Sequence, residues 1–165
     1  MTSRGVQLLA LFCLLPLASA AGGGWFYGRD RPDSWTNGGV WPLPQRLEYQ
    51  GQTATVSPGK VTFNAGPHAG CDIIQDNIKR YQGRWLFPFP VQAISTAPEY
   101  TLAINIHTPC PAGVPQQDMN EKYTLTVSTT AALLDADEVW GAIRGLETFS
   151  QLIYYNETEN AVSID

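Results

Sequence analysis

The sequence lacks two features that would identify a membrane protein or a nucleic-acid-binding protein: a long apolar run and a cluster of basic residues. A membrane-spanning helix needs about 20 consecutive apolar residues, and the most apolar stretch, Val6 to Leu17, is shorter than that. Lys and Arg together number 10 against 15 Asp and Glu, whereas proteins that bind phosphate backbones present clustered cations. We therefore expect neither a membrane span nor a nucleic-acid partner.

Residues 1–20 have the pattern of a secretory signal peptide. Arg4 gives a positive start, Val6 to Leu17 form the apolar segment, and Ala18-Ser19-Ala20 has the small-x-small pattern that signal peptidase accepts. The alternative, an uncleaved membrane anchor, is disfavoured because the apolar segment is roughly a dozen residues long. Cleavage after Ala20 predicts a protein of the secretory pathway that ends in the lysosome or outside the cell.

Cysteine is scarce, and its number fits secretion. Of three cysteines, Cys13 lies in the signal peptide, which leaves Cys71 and Cys110. An even pair in an oxidising compartment favours a disulfide. The alternative, a metal site, would need His68 and His107 at zinc-like spacing from the cysteines, and they do not have it. The sequence predicts no metal and no cofactor.

One N-x-S/T sequon occurs in the chain, Asn156-Glu157-Thr158. Its middle residue is not proline, and it lies behind a signal peptide and just after a predicted helix end. Asn156 is therefore a candidate for glycosylation.

Residues 21–46 are rich in Gly, Pro and Trp and follow neither a helical nor a strand period. This composition predicts an irregular arm. Two roles are open for its aromatic residues: they stack on sugar rings, or they pin the arm to the domain surface, which we favour. These aromatic residues are Trp25, Tyr27, Trp35 and Trp41.

Residues 47–160 have the pattern of one α+β domain. Alternating or β-branched residues predict strands in four places. These runs are residues 53–56, 61–63, 100–106 and 123–127. With a helix after each pair of strands, the order predicts a sheet with two helices packed on one face.

The two helices are predicted from apolar residues at helical spacing. The first carries an apolar stripe over Ile74–Trp85, and the second extends over Asp135–Ile153. Asp135 and Glu138 fit a capping box, which places their carboxylates near the positive end of the second helix.

Residues 139–152, Val-Trp-Gly-Ala-Ile-Arg-Gly-Leu-Glu-Thr-Phe-Ser-Gln-Leu, resemble the segment that ends the N-terminal domain of eukaryotic β-N-acetylhexosaminidases, glycoside hydrolase family 20. Three further segments agree in order. Residues 40–45 resemble the opening of the family's mature chain, Gly70-Cys71 its first cysteine-bearing helix, and residues 123–127 its penultimate strand. The resemblance covers about residues 40–155, nearly all of the mature chain.

The resemblance implies a sheet with two helices packed on one face, joined to a catalytic (β/α)8 barrel as its partner domain. It also implies that Cys71 and Cys110 form the disulfide of the domain. The family's catalytic Asp-Glu pair belongs to the barrel, so no catalytic residue is expected in this chain, and residues 161–165 would begin the linker to the missing barrel. The parent would remove terminal β-linked N-acetylglucosamine or N-acetylgalactosamine, and a homo- or heterodimer would form through the parent.

Two features near the second helix need an interpretation of their own. Asp137-Glu138 is an adjacent Asp-Glu pair, but it begins a helix, so we interpret it as capping rather than catalytic. Gly141 and Gly145 each cost about 1 kcal/mol against Ala inside a helix. We therefore expect the helix to approach the sheet or the barrel closely at these positions.

The alternative function is that of a stand-alone secreted carbohydrate-binding or structural module. Trp25, Trp35 and Trp41 would then form its binding platform. The resemblance over residues 139–152 favours the hexosaminidase hypothesis.

Sequencing of the secreted protein is expected to give an N-terminus near Ala21, because the preceding small residues fit signal peptidase. The measurement is N-terminal sequencing of protein purified from culture medium. Replacing Ala18 and Ala20 by Arg should block the cleavage. A secreted protein that starts at Met1 would contradict the predicted leader.

Overall fold

A computed structural model describes residues 39–87, 92–156 and 161–164. It has α+β architecture, which confirms the predicted class. The strands are β1 (Ala54–Val56), β2 (Val61–Asn64), β3 (Tyr100–Ile106), β4 (Tyr123–Val127), β5 (Ala131–Ala136), β6 (Ile153–Asn156) and β7 (Ala161–Ile164), and the helices are α1 (Asp72–Arg80) and α2 (Val139–Gln151). A 3₁₀ helix, Gly66–Gly70, precedes α1, and a π-helical segment, Tyr81–Trp85, continues it.

The larger sheet has four strands in the order β2-β3-β5-β4. The strands β2, β3 and β5 are parallel, and β4 is antiparallel to β5. Strand β5 was not predicted, because its sequence, Ala-Ala-Leu-Leu-Asp-Ala, contains strong helix formers and no β-branched residue. Pairing with β3 on one side and β4 on the other overrides that local preference.

The predicted start of the second helix is wrong. Asp135 belongs to β5, and α2 begins at Val139 with Glu138 as an extended N-cap residue that makes no side-chain cap hydrogen bond. The capping box is therefore absent, because the Asp135 carboxylate instead accepts a hydrogen bond from Asn105 across the sheet. At the other end, Ile153 is in β6 rather than in the helix.

The apolar stripe of the first helix ends earlier than predicted. Ile74, Ile78 and Tyr81 are buried as expected, but Trp85 is exposed. The π-helical hydrogen bond from Leu86 N to Tyr81 O, 3.1 Å long, adds one residue to this turn. Leu86 therefore takes the buried position that an α-helix would give to Trp85.

The smaller sheet is antiparallel and has the order β1-β7-β6. Ala54 pairs with Ile164, and Val56 pairs with Val162. Residues 161–165 are predicted to begin a linker, whereas in the structure residues 161–164 form the central strand of this sheet.

The core lies between the four-stranded sheet and the two helices. Leu102 and Leu134 from the sheet are fully buried, as are Leu146 and Phe149 from α2. The Phe149 ring contacts Phe63 edge-on, with 6.1 Å between ring centroids. The opposite face of the sheet is polar at its edge, since the Thr62 and Thr101 hydroxyls hydrogen-bond at 3.0 Å. Both helices thus pack on one face, as predicted.

Tyr100 closes one end of this core. Its ring stacks near Phe149, and its hydroxyl donates a 2.8 Å hydrogen bond to the Ser128 carbonyl oxygen. Burial raises the pKa of Tyr100 to about 12, so the phenol stays protonated and remains a donor. This bond ties β3 to the turn between β4 and β5.

The two glycines of α2 lie at close contacts with the rest of the domain. A Cβ on Gly141 would collide with the backbone carbonyl of Lys122, and one on Gly145 would collide with the Leu134 side chain of β5. The expected close approach to the sheet is thus present at Gly145, and Gly141 approaches the segment that leads into β4. Within the residues described, no helix is long and apolar enough to cross a membrane.

Replacing Gly141 by Ala is expected to destabilise the fold by about 2–3 kcal/mol, because the new methyl group meets backbone that has little room to move. Denaturant unfolding measures the change. Gly83→Ala is the matched control: Gly83 is also helical, and nothing lies within 4 Å of a Cβ there. Equal stability of Gly141→Ala and the wild type would contradict the close approach.

Candidate functional site: the helix starts and the outer surface of α2

The disulfide joins the start of α1 to the loop that follows β3. Cys71 is the N-cap residue of α1, and its sulfur bonds to that of Cys110 with Cα atoms 5.6 Å apart. His68 Nε2 lies 2.8 Å from the Thr108 carbonyl oxygen and adds a second contact. The predicted pairing is present in the structure, and it fixes the loop beside both helix starts.

The disulfide also decides against a metal at this point. Cys71, Cys110 and Asp72 are the one group of three potential ligands that cluster closely within the described part of the chain. A thiolate is the ligand form of cysteine, and both sulfurs are instead bonded to each other. Asp72 alone is not a metal site.

A polar cluster surrounds the junction between β5 and α2. Asn105 Nδ2 lies 2.7 Å from Asp135 Oδ2, and His107 Nε2 lies 3.1 Å from Asp135 Oδ1. His107 Nδ1 is also 3.6 Å from Asp137 Oδ1. The hydrogen bond from Asn105 is the main reason that the pKa of Asp135 is lowered, with smaller contributions from His107. These contacts hold the end of β3 against the end of β5.

The Asp137-Glu138 pair binds the chain's own loop. Asp137 Oδ2 accepts a 3.1 Å hydrogen bond from Asn120 Nδ2 and lies 3.8 Å from Lys122 Nζ. Glu138 Oε2 accepts a 3.3 Å hydrogen bond from the Asn120 backbone N–H. The two carboxylates therefore hold the segment before β4. The capping interpretation is wrong, because Glu138 is the N-cap residue of α2 but makes no side-chain cap hydrogen bond.

A hydrogen-bonded chain crosses the outer surface of α2. Tyr81 donates a 2.6 Å hydrogen bond to Glu147 Oε2, and Gln151 Nε2 donates to Glu147 Oε1 at 3.1 Å. Burial and then the bond to Glu147 raise the pKa of Tyr81 above its usual range, so Tyr81 stays a donor. Glu147 thus links the end of α1 to the end of α2.

Gln151 extends this chain to the arm through a double contact. Its Oε1 accepts a 2.7 Å hydrogen bond from the Trp41 backbone N–H, and its Nε2 donates to the Trp41 carbonyl oxygen at 2.7 Å. Val40 beside it is buried. The arm is therefore held at this point by backbone contacts and by Val40.

The Trp41 ring does not pin the arm, contrary to the favoured prediction. Its side chain is 77% exposed, because the backbone contacts to Gln151 leave the indole directed outward. Leu43 and Trp85 are also exposed, by 60% and 56%. Trp25 and Trp35 lie outside the described residues. The contacts of Tyr81 with Glu147 and of Gln151 with Glu147 and Trp41 join the segments that carry Trp85 and Trp41. On that basis we group Trp41, Leu43 and Trp85 as the apolar patch; exposed large apolar side chains are typical of interaction surfaces.

The sequon residue Asn156 ends strand β6 and is half-buried. The expectation that it follows a helix end is not met, because β6 lies between α2 and Asn156. Glu157 and Thr158 lie outside the described residues, and glycosylation of Asn156 stays a prediction.

The sequence does not predict the chain of contacts from Tyr81 to Trp41. The available signal was the spacing of Glu147 and Gln151, which are four residues apart and so share one face of α2. Nothing in the sequence indicated that Tyr81 and Trp41, from distant segments, complete it.

The chain is similar in sequence to one known protein family and its members. The model of a family described as beta-acetyl hexosaminidase like matches residues 40–152. Beta-hexosaminidase A of Caenorhabditis elegans is 38% identical over 141 residues, which are 85% of this chain and 25% of that protein. Beta-hexosaminidase subunit beta of Homo sapiens is 32% identical over 126 residues, 70% of this chain and 22% of that protein.

A solved structure is also similar over part of its length. The Flavobacterium johnsoniae chitobiase structure superposes with a TM-score of 0.48 and 18% identity, covering 78% of this chain and 20% of that one. The chain thus spans about a quarter of the length of the curated relatives that it matches.

Replacing Gln151 by Ala is expected to release the arm, because both hydrogen bonds to Trp41 are lost. Trypsin should then cut after the exposed Arg46 several-fold faster than in the wild type, since local opening limits such cleavage. Gln75→Ala is the control, a half-exposed glutamine of α1 far from the arm in sequence. An unchanged rate of cleavage after Arg46 would show that Gln151 does not hold the arm.

Proposed function

The chain belongs to the beta-acetyl hexosaminidase like family, and on that premise we propose that it is the N-terminal, non-catalytic domain of a β-N-acetylhexosaminidase. The parent enzyme removes terminal β-linked N-acetylglucosamine or N-acetylgalactosamine from glycoconjugates. The observation that carries this proposal is the family match over residues 40–152 by a chain that spans about a quarter of its relatives. The remaining length of such a relative is sufficient for a catalytic barrel.

The acids of the chain support a non-catalytic role. A glycosidase needs one carboxylic acid that stays protonated to donate to the leaving group, inside a site that excludes water. The pKa of Asp135 is instead lowered, mainly by Asn105. Asp137 and Glu138 are both bound to Asn120. None of these carboxylates is arranged as a free pair across a sugar-sized cavity.

The proposed contribution of the domain is to cover apolar surface on the barrel. The apolar patch is the part of the described surface best suited to that contact, because Trp41 and Trp85 are both more than half exposed. Burying an indole stabilises an interface by about 2–4 kcal/mol. The contacts of Tyr81, Glu147 and Gln151 hold the segments that carry these rings.

The predicted leader and the disulfide support the proposed compartment. A signal peptide with a disulfide between Cys71 and Cys110 fits the secretory route, with the lysosome or the extracellular space as destination. A glycan on Asn156 would belong to the same route, and a homo- or heterodimer would form through the parent.

The purified chain is expected not to hydrolyse a fluorogenic N-acetylglucosaminide above the buffer rate, because no described acid is placed to protonate a leaving group. The control is the variant with Asp137→Asn and Glu138→Gln. Turnover by the wild type that disappears in this variant would overturn the non-catalytic assignment.

The apolar patch is expected to cause weak self-association of the isolated chain, since Trp85 is more than half exposed among the described residues. Sedimentation velocity should show less association for Trp85→Ser. Leu133→Ser is the matched control, because Leu133 is a similarly exposed apolar side chain on the opposite face of the sheet. An equal reduction by both variants would rule out a specific patch.

A further inference from the structure

Strand β4 has an outer edge without a neighbouring strand among the described residues. The order β2-β3-β5-β4 places it at the end of the sheet. Ser128 N donates to Ala131 O, so residues 128 and 131 form a hydrogen-bonded pair of the hairpin. Because such pairs alternate along antiparallel strands, Thr124 and Thr126 also bond to β5. The N–H and C=O groups of Tyr123, Leu125 and Val127 point to the outer edge.

A groove runs along this edge. Its volume is about 1400 Å³, and it lies between residues 123–128 and residues 42–53, which we call the strap. A five-residue strand is about 17 Å long and 5 Å wide, and it is about 10 Å deep with its side chains, or roughly 800 Å³. The groove therefore has room for one more strand.

The strap contains a segment of strand type. In residues 46–50, polar Arg46, Glu48 and Gln50 alternate with Leu47 and Tyr49, the period of a strand with one buried face. The Arg46 guanidinium contacts Glu48 Oε1 at 2.7 Å, which places these two side chains on the same side. This is the geometry of extended backbone, and it directs Leu47 and Tyr49 to the other side.

Both ends of the strap are fixed close to the groove. Gln151 holds Trp41 at one end, and β1 begins at Ala54 at the other. Gly51, with φ of +67°, provides the bend between the strand-type segment and β1. Tethering at both ends gives residues 46–50 a high effective concentration at the edge of β4.

We propose that residues 46–50 close onto the outer edge of β4 as a fifth strand of the sheet. Closure pairs the outward N–H and C=O groups of Tyr123, Leu125 and Val127, and it covers the apolar side of Leu47 and Tyr49, the latter 50% exposed before closure. It also removes a free edge of high β-propensity, which otherwise invites pairing between molecules.

Hydrogen exchange measured at each amide by nuclear magnetic resonance tests the closure on the mature chain. With the strap closed, the amides of Leu125 and Val127 should exchange within about tenfold of those of Thr124 and Thr126, which bond to β5. Free-peptide exchange rates at Leu125 and Val127 would overturn the proposal. So would protection that grows with protein concentration together with a dimer in sedimentation, because the occupant would then be a second copy.

A double variant, Leu47→Ser with Tyr49→Ser, separates the strap from other causes of protection. It should speed exchange at Leu125 and Val127 by at least about tenfold and leave Thr124 unchanged, which also reports that the sheet is intact. Val114→Ser, an exposed apolar residue outside the strap, is the control and should have no effect. Protection of Leu125 that survives the double variant would overturn the proposal; the wild-type measurement decides it if that variant does not fold.

Discussion

Helix α2 approaches the segment before β4 closely at Gly141 and strand β5 closely at Gly145. This close approach is the constraint on which the other contacts depend. A side chain at Gly141 would collide with the Lys122 backbone, and one at Gly145 would displace the buried Leu134 side chain. The short distance lets Leu146 and Phe149 reach the centre of the core. It also fixes the outer side of the same helix, where residues 147 and 151 meet α1 and the arm. The packing of the inner face of α2 thus sets the position of Glu147 and Gln151 on its outer face, and so their contacts with Tyr81 and Trp41.

Strands β3 and β4 were predicted with their observed bounds, because β-branched and aromatic residues alternate along both. Strand β5 was missed for the opposite reason: alanine and leucine carry no local strand signal, and its pairing partners are distant in sequence. Because β5 is not predicted, the predicted start of α2 lies too early, at Asp135. Local patterns therefore located the elements whose side chains carry a strand preference, and tertiary pairing determined the rest.

The contacts of the candidate site also fall into those that the sequence predicts and those that only the structure shows. The pairing of Cys71 and Cys110 followed from parity, which needs no geometry. The contacts of Gln151 with Trp41 join residues 110 positions apart, and those of Tyr81 with Glu147 join residues 66 apart. No spacing rule reaches so far, so the structure was needed to find them. The exposure of Trp85 depends on a single π-helical turn that composition does not indicate.

Pairing of β1 with β7 has a consequence for synthesis of the chain. Ala54 finds its partner, Ile164, only after about a hundred further residues have been made. Until then the first strand emerges from the ribosome without its neighbour, while the four-stranded sheet can already form from residues in between. Among the described strands, the smaller sheet can therefore be completed last, and its completion joins the first described strand, β1, to the last, β7. A ribosome that stalls before this point would release a chain whose helical core is formed but whose first strand is unpaired.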